Sequence, residues 1–197
     1  MGTKTDTAPR RRMGSQDSAT AQSLLDATER VLQAHGYLGI TSQSVAEEAG
    51  VKRQLVFYYF QNVDEMILTA FSRRMNATLA KIEQAGKSER PVHAIWDAYQ
   101  NAFDARLIFE YTALANHNEA IRHVISEFVE KIRNKKVSII KKAYRDKNIA
   151  SDMIPPDVVA FLISCITMSL TREEGMGTSI SHKSTRDTVR KFLDLLE

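Results

Sequence analysis

Lys52, Arg53 and Gln54 stand together at the head of a short run that continues Leu55-Val56-Phe57-Tyr58-Tyr59-Phe60. If that run is helical, Val56 and Phe60 lie four apart on one side, and Lys52, Arg53, Gln54, Phe57 and Tyr58 remain on the other. Two cations and an amide at a helix N-terminus, followed by aromatics able to lie along a sugar-phosphate backbone, suit a helix that enters the major groove of DNA. Other chemistries find less support. His117 and His123 are six apart with Glu119 between them, so they cannot share a helix face as an i, i+4 ligand pair would, and no metal site is expected. Cys165 lies inside an apolar run where a thiol is normally inert. No nucleophile with a base, no paired Glu-x-x-His and no phosphate loop occurs, so neither an enzyme nor a cofactor is expected.

The groove-facing run needs a support. Ala46 is small enough for two helices to approach closely, Gly50 can take positive φ at a tight turn, and Val51 can lock the corner after it. These are the requirements of a helix-turn-helix, and an ordinary αα-corner shares them; the outward face described above favours DNA binding. Upstream, Ala21, Leu24, Leu25, Thr28, Val31 and Leu32 recur at three- and four-residue spacing and predict a first helix from Ser18 that Gly36 ends. Thr41 or Ser42 can cap a short second helix ended by Gly50, and residues 53–60 form the third. Asn62 can cap a long fourth helix running to about Gly86. Further helices are predicted at about 91–103, 105–115, 118–146, 156–174 and 184–196, with breaks at 116–118, 151–156 and 175–183, and the polar stretch 86–90 is the one seam. No hairpin signature and no long repeat appears. The expected fold is all-α with about nine helices: a flexible basic arm over 1–17, a three-helix DNA-binding domain over 18–62, and a helical ligand-binding and dimerisation domain over 63–197.

With these residues in place, the chain resembles the TetR family of bacterial transcriptional regulators. The resemblance is carried by Thr41, Val45, Ala46, Ala49-Gly50-Val51, Phe57-Tyr58-Tyr59-Phe60, Asn62 and Asp64-Glu65, and covers about residues 18–70. Beyond them the likeness is one of layout, six further helices that build an effector pocket and a dimer interface. A weaker echo is Glu173-Glu174-Gly175-Met176-Gly177 followed by His182, similar to the linker before the last helix. The resemblance implies that Arg53, Gln54 and Leu55 read bases, with Arg53 suited to guanine, Gln54 to adenine and Leu55 to a thymine methyl. Thr41, Phe57 and Tyr59 then lie near the backbone. Two departures remove phosphate contacts: Phe57 where most relatives have Tyr, and Val63 where most have Lys. Arg10, Arg11 and Arg12 in the arm can offset that loss through the minor groove or phosphates.

Net charge would not have found this site. The 197 residues carry 27 Lys and Arg against 24 Asp and Glu, a balance of only +3. Within 18–62, Arg30, Lys52 and Arg53 meet Asp26, Glu29, Glu47 and Glu48, three against four, a net of −1. The largest basic excess lies between Lys131 and Lys147, where eight cations face Asp146 alone; a solvated helix face accounts for it, and an anionic effector or extra DNA contacts is the sharper reading. The longest apolar stretch, 158–171, has 14 residues, short of the roughly 18 needed to span a bilayer. One cysteine excludes an internal disulfide and fits a reducing cytoplasm, the expected location.

A single short helix offers too few contacts for a specific operator, and a two-fold dimer supplies two half-sites about 34–36 Å apart on double-stranded DNA, so a homodimer is expected. Its interface is expected on the last two helices, where Val158, Val159, Phe161, Leu162, Ile163, Ile166, Met168 and Leu170 are apolar almost all round and Val189, Phe192, Leu193 and Leu196 form a second stripe. A small-molecule effector, unidentified by the sequence, would find aromatics among Trp96, Tyr99, Phe103, Phe109, Tyr111 and Phe128. The expected function is that of a ligand-responsive regulator, a repressor released from a palindromic operator; the alternatives are a small helical enzyme or a helical adaptor without DNA.

Overall fold

The computed structural model describes residues 14–100, 104–150 and 154–197. Among them are nine α-helices and one 3-10 turn, with no strand: α1 Ala19–His35, the turn Tyr37–Gly39, α2 Ser42–Glu48, α3 Gln54–Tyr59, α4 Val63–Ala85, α5 Pro91–Gln100, α6 Ala105–His117, α7 Glu119–Asp146, α8 Pro156–Gly175 and α9 His182–Asp194. The chain divides into two compact units, Met1–Arg73 and Arg74–Glu197. The division falls inside α4.

Local chemistry explains the ends of the first four helices. The Ser18 hydroxyl accepts from the Ala21 N–H, and Gly36 at φ 68° turns the chain out of α1. Thr41 caps α2 through a capping box: its hydroxyl accepts from Ser44 N at 2.9 Å while Ser44 Oγ accepts from Thr41 N at 2.9 Å. Gly50 at φ 67° makes the turn into α3. Asn62 Oδ1 accepts from Glu65 N at 2.8 Å and starts α4.

The core of the first unit is the stripe read from the sequence: Ala21, Leu24, Leu25, Val31 and Leu32 of α1, Val45 and Ala46 of α2, Val56 and Phe60 around α3, and Met66, Ile67 and Ala70 on α4 are all buried. Arg73, near the middle of α4, donates to Gln22 Oε1 at 3.0 Å and to Asp26 at 2.6 Å, tying the first half of α4 to α1. These contacts draw the start of α4 into the N-terminal unit.

In the second unit α7 packs on α6 and α8, and α5 on α7, α8 and α9. Asp104 caps α6, and Asn118, expected as a break, caps α7 by accepting from Ile121 N at 3.2 Å. Helix α5 is described to Gln100; Phe103 lies outside the described residues. The last helix is held by polar ties. Glu197 accepts from the Val92 N–H and from His93 Nδ1, the latter at 2.6 Å, and Arg190 pairs with Asp97 at 2.6 Å. His182 is buried between Glu173, 2.8 Å from its Nε2, and Glu174, 3.3 Å from its Nδ1, and hydrogen bonding to these carboxylates raises its pKa. The Glu173-Glu174 pair therefore ties α9 to the end of α8.

Candidate nucleic-acid interface

Helix α3 begins where α2 and the Gly50 turn place it. Its inner side is fixed by Val56 and Phe60, both 0% exposed, and that leaves Lys52, Arg53 and Gln54 exposed together at its first turn. Tyr58 is exposed, while Leu55, Phe57 and Tyr59 are half-buried. Of the side read from sequence as outward, Lys52, Arg53, Gln54 and Tyr58 are exposed, whereas Phe57 is half-buried.

Arg53 is positioned from two sides. Its Nε donates to Ser42 Oγ at 2.8 Å, and its guanidinium carbon lies 5.6 Å from the Phe57 ring centroid. Guanidinium has five N–H donors, and the Ser42 bond takes one, on the edge away from the terminal nitrogens that make a bidentate contact. Phe57, which has no hydroxyl for a phosphate, serves instead as a platform beneath the cation. Ser42 was not foreseen as a functional residue: it is eleven positions from Arg53 in sequence, and only the angle between α2 and α3 brings them together. Thr41 is exposed beside this pair, its hydroxyl engaged in the α2 cap.

The end of the expected arm is anchored to the same helix. Gly14 N donates to Tyr58 O at 3.3 Å, and a Cβ on Gly14 would fall 2.4–2.7 Å from ring atoms of Tyr58 and Tyr59. The two tyrosine rings meet edge to face at 4.9 Å. Gln16 donates to Glu65 at 3.2 Å, and Glu65 accepts from Gln61 N at 2.6 Å. Residues 14–17 thus belong to the folded domain, while Arg10, Arg11 and Arg12 lie outside the described residues. Deletion of residues 1–12, which hold Lys4 and the three arginines, is expected to weaken binding to all DNA sequences alike and to flatten the slope of log K against log salt by up to about 0.9 per lost phosphate contact, as measured by filter binding across a salt series. An unaltered slope would leave the arm with no part in binding.

The second unit presents the other expected sites. Trp96, Tyr99, Tyr111 and Phe128 are buried. Phe109 is 42% exposed, because it stands two residues from both Leu107 and Tyr111 of the inward stripe, on the far side of α6; it does not share the interior with the others. Helix α8 is two-faced. Val159, Ile163 and Leu170 are buried within the chain, whereas Val158, Phe161, Leu162 and Met168 are 36–47% exposed, with Phe161 and Leu162 three and four residues after Val158 and Met168 six after Leu162. Ile166 is intermediate, as are Val189 and Phe192 on α9. Leu193 and Leu196, expected at the interface, are 1% and 3% exposed within a single chain; their stripe turns inward onto the chain's own core. The described residues form no His, Cys, Asp or Glu cluster able to hold a metal ion, and none of their helices is long and apolar enough to cross a membrane.

Residues 24–70 match the family model of the bacterial regulatory proteins of the tetR family. No curated protein matches the sequence. Solved structures do match in fold. A TetR transcription regulator from Haloarcula marismortui has a TM-score of 0.73 at 19% identity, covering 89% of this chain and 97% of that one. GusR of Salmonella enterica has 0.71 at 14% identity, covering 92% and 98%. The fatty acid degradation regulator FadR from Bacillus halodurans has 0.69 at 16% identity, covering 81% and 88%.

Proposed function

We propose, on the premise that this chain carries the DNA-binding domain of the TetR family over residues 24–70, that it is a homodimeric repressor which leaves a palindromic operator when a small molecule binds its second unit. The fold and the domain are those of DNA-binding transcriptional regulators. The match of residues 24–70 to the DNA-binding domain of this family supports the regulator over a helical enzyme and over an adaptor without DNA.

One observation carries the reading: Lys52, Arg53 and Gln54 are exposed together at the entry to α3, with Arg53 braced by Ser42 and Phe57. Arg53, Gln54 and Leu55 are assigned to bases, and Thr41, Lys52, Phe57, Tyr58 and Tyr59 to the backbone. Selection of bound sequences from random DNA should return a palindrome with half-site centres about one helical turn apart. On that palindrome Arg53→Ala is expected to cost about 1–3 kcal/mol and to relax the preference at one position in each half-site. Unchanged affinity and preference would remove Arg53 from the base-reading set. The fold should be unaffected, because Arg53 is exposed.

The exposed stripe of α8 is assigned to the dimer, and the effector to the interior around Trp96, Tyr99, Tyr111 and Phe128. A ligand releases the operator only by binding the DNA-free state more tightly, and a hundredfold loss of DNA affinity needs about 2.7 kcal/mol of coupling. Helix α4 has residues in both units and is the element assigned to carry that coupling. The place of action is the cytoplasm, where the operator is.

A further inference from the structure

The basic stretch of α7 does not behave as one solvated face. Lys135 pairs with Glu83 at 2.6 Å, and Lys141, Lys142, Arg145 and Lys147 are exposed, but Lys136 is 1% exposed. A buried ammonium without a carboxylate is rare, because desolvation is costly unless a counter-charge repays it. Lys136 Nζ donates to the Ser164 hydroxyl and sits 3.9 Å from the Tyr99 ring centroid. Those are neutral partners. Burial, and after it the repulsion of Arg133, a second cation one turn earlier on the same face, lower the Lys136 pKa to about 7. Among the described residues neither cation has an acidic partner.

The polar atoms around this pair share one character. Arg133 Nε, Trp96 Nε1 and Gln100 Nε2 are buried with no hydrogen-bond partner, as is the Thr167 hydroxyl. Trp96 and Gln100 flank Tyr99 on α5, and Thr167 is one turn beyond Ser164 on α8. Since Tyr99 and Ser164 both touch Lys136, Trp96 and Thr167, one turn from each, lie on the α5 and α8 faces turned toward α7, whereas the Gln100 side-chain carbonyl accepts from Arg186 of α9 at 3.2 Å and its amide stands on the α9 side of α5. Three of the four orphaned atoms can only donate, and the fourth can do so. Native interiors rarely leave several donors unmatched, and a cluster of them beside two unneutralised cations lacks one thing, an acceptor bearing negative charge. Arg133 also gives the cluster a way out: it is half-buried, with its guanidinium 4.8 Å from the ring of the exposed Phe161.

We infer that Lys136 and Arg133 anchor the head group of the effector, and that the effector is an organic carboxylate whose apolar body lies among Trp96, Tyr99 and the neighbouring core. This rests on the reading of the second unit as an effector domain, and adds to it the charge of the ligand and the residues that select it. The carboxylate takes the donors of Lys136 and Arg133, with Trp96 Nε1 on the same inward face of α5 as Tyr99. An uncharged analogue leaves the cations as they are and gains no such compensation.

Matched pairs on the full-length protein test this: octanoate against octanamide, and 1-naphthoate against 1-naphthamide, followed by Trp96 fluorescence and calorimetry. The carboxylate of at least one pair should bind saturably and about tenfold or more tighter than its amide, the ratio that one charge-assisted hydrogen bond supplies. Lys136→Met fills the same space without the charge and should abolish the ratio while raising Tm, since an unpaired buried charge is removed. Arg133→Gln, which keeps Lys136, should reduce the ratio. Equal affinity for acid and amide, no saturable binding of either carboxylate, or a ratio that survives both substitutions would overturn the anchor. So would a fall in Tm for Lys136→Met, which would mark Lys136 as a structural cation. Operator binding is measured on the same preparations: a wild-type protein that binds DNA but does not prefer the acid refutes the anchor alone, whereas absence of any DNA binding by the wild-type protein refutes the regulator.

Discussion

Phe60→Ala is expected to destabilise the N-terminal unit by about 3–5 kcal/mol, the cost of emptying a buried aromatic site. Phe60 is fully buried at the point where α3 ends and the chain turns toward α4, and its N–H closes the last bond of α3 to Val56 O at 2.8 Å. Small domains have total stabilities of about 5–15 kcal/mol, so this single change removes a large share of the margin. The loss should be local. Trp96, the only tryptophan, lies in the second unit, so its fluorescence reports that unit, DNA retention reports the first, and far-UV circular dichroism reports the helices of both. An early melting step that leaves Trp96 emission native, together with lost operator binding, is the expected result. A single transition in which both signals fall together would show that the two units unfold as one.

Much of the first unit was legible because its information is local. Ser18, Thr41, Asn62, Gly36 and Gly50 act within four residues of where they stand, so a cap or a turn can be read without knowing the rest of the fold. The stripe of α1 was equally plain, since one helix that buries one face leaves a 3.6-residue period. The 3-10 turn at Tyr37–Gly39 escaped notice because three residues show no period. What sequence could not show was contact between distant positions. Ser42 braces Arg53 and Gly14 lies against Tyr58 through the angle at which short helices cross, and no spacing rule encodes that angle.

The second unit was read less well for a related reason. Helix α8 is apolar on both sides, so periodicity alone could not divide the core residues Val159 and Ile163 from the exposed Phe161 and Leu162. Lys136 sat unremarked among seven other cations, and its inward direction follows only once Ile132, Ile140 and Ala143 are known to mark the buried face of α7. Phe109 shows the converse error, since an aromatic in an apolar stretch was grouped with inward neighbours although it stands two residues from them.

The exposed half of α8 leads to the second large effect. Leu162→Asp should convert a dimer to a monomer and lower operator affinity by at least about a hundredfold, or about 2.7 kcal/mol at 1.4 kcal/mol per tenfold. Leu162 is 41% exposed in the single chain, so the substitution should leave the protomer's own stability within about 0.5 kcal/mol. In a two-fold interface the same residue occurs on both partners, and near the axis the two new carboxylates face each other as well as the apolar stripe. Each loses about 1.5–3 kcal/mol of leucine burial and adds the cost of desolvating a charge. Leu162 is the better probe than Phe161, because an acid at 161 would stand beside Arg133, whose guanidinium carbon lies 4.8 Å from the Phe161 ring centroid, and could be neutralised there. A monomer reaches one half-site at a time, which is why its affinity for the palindrome should fall while its contact with each half stays the same. Sedimentation and operator binding, measured at equal protein concentration, read the two steps separately. A folded Leu162→Asp protein that stays dimeric and binds the palindrome at full strength would move the interface off this face of α8.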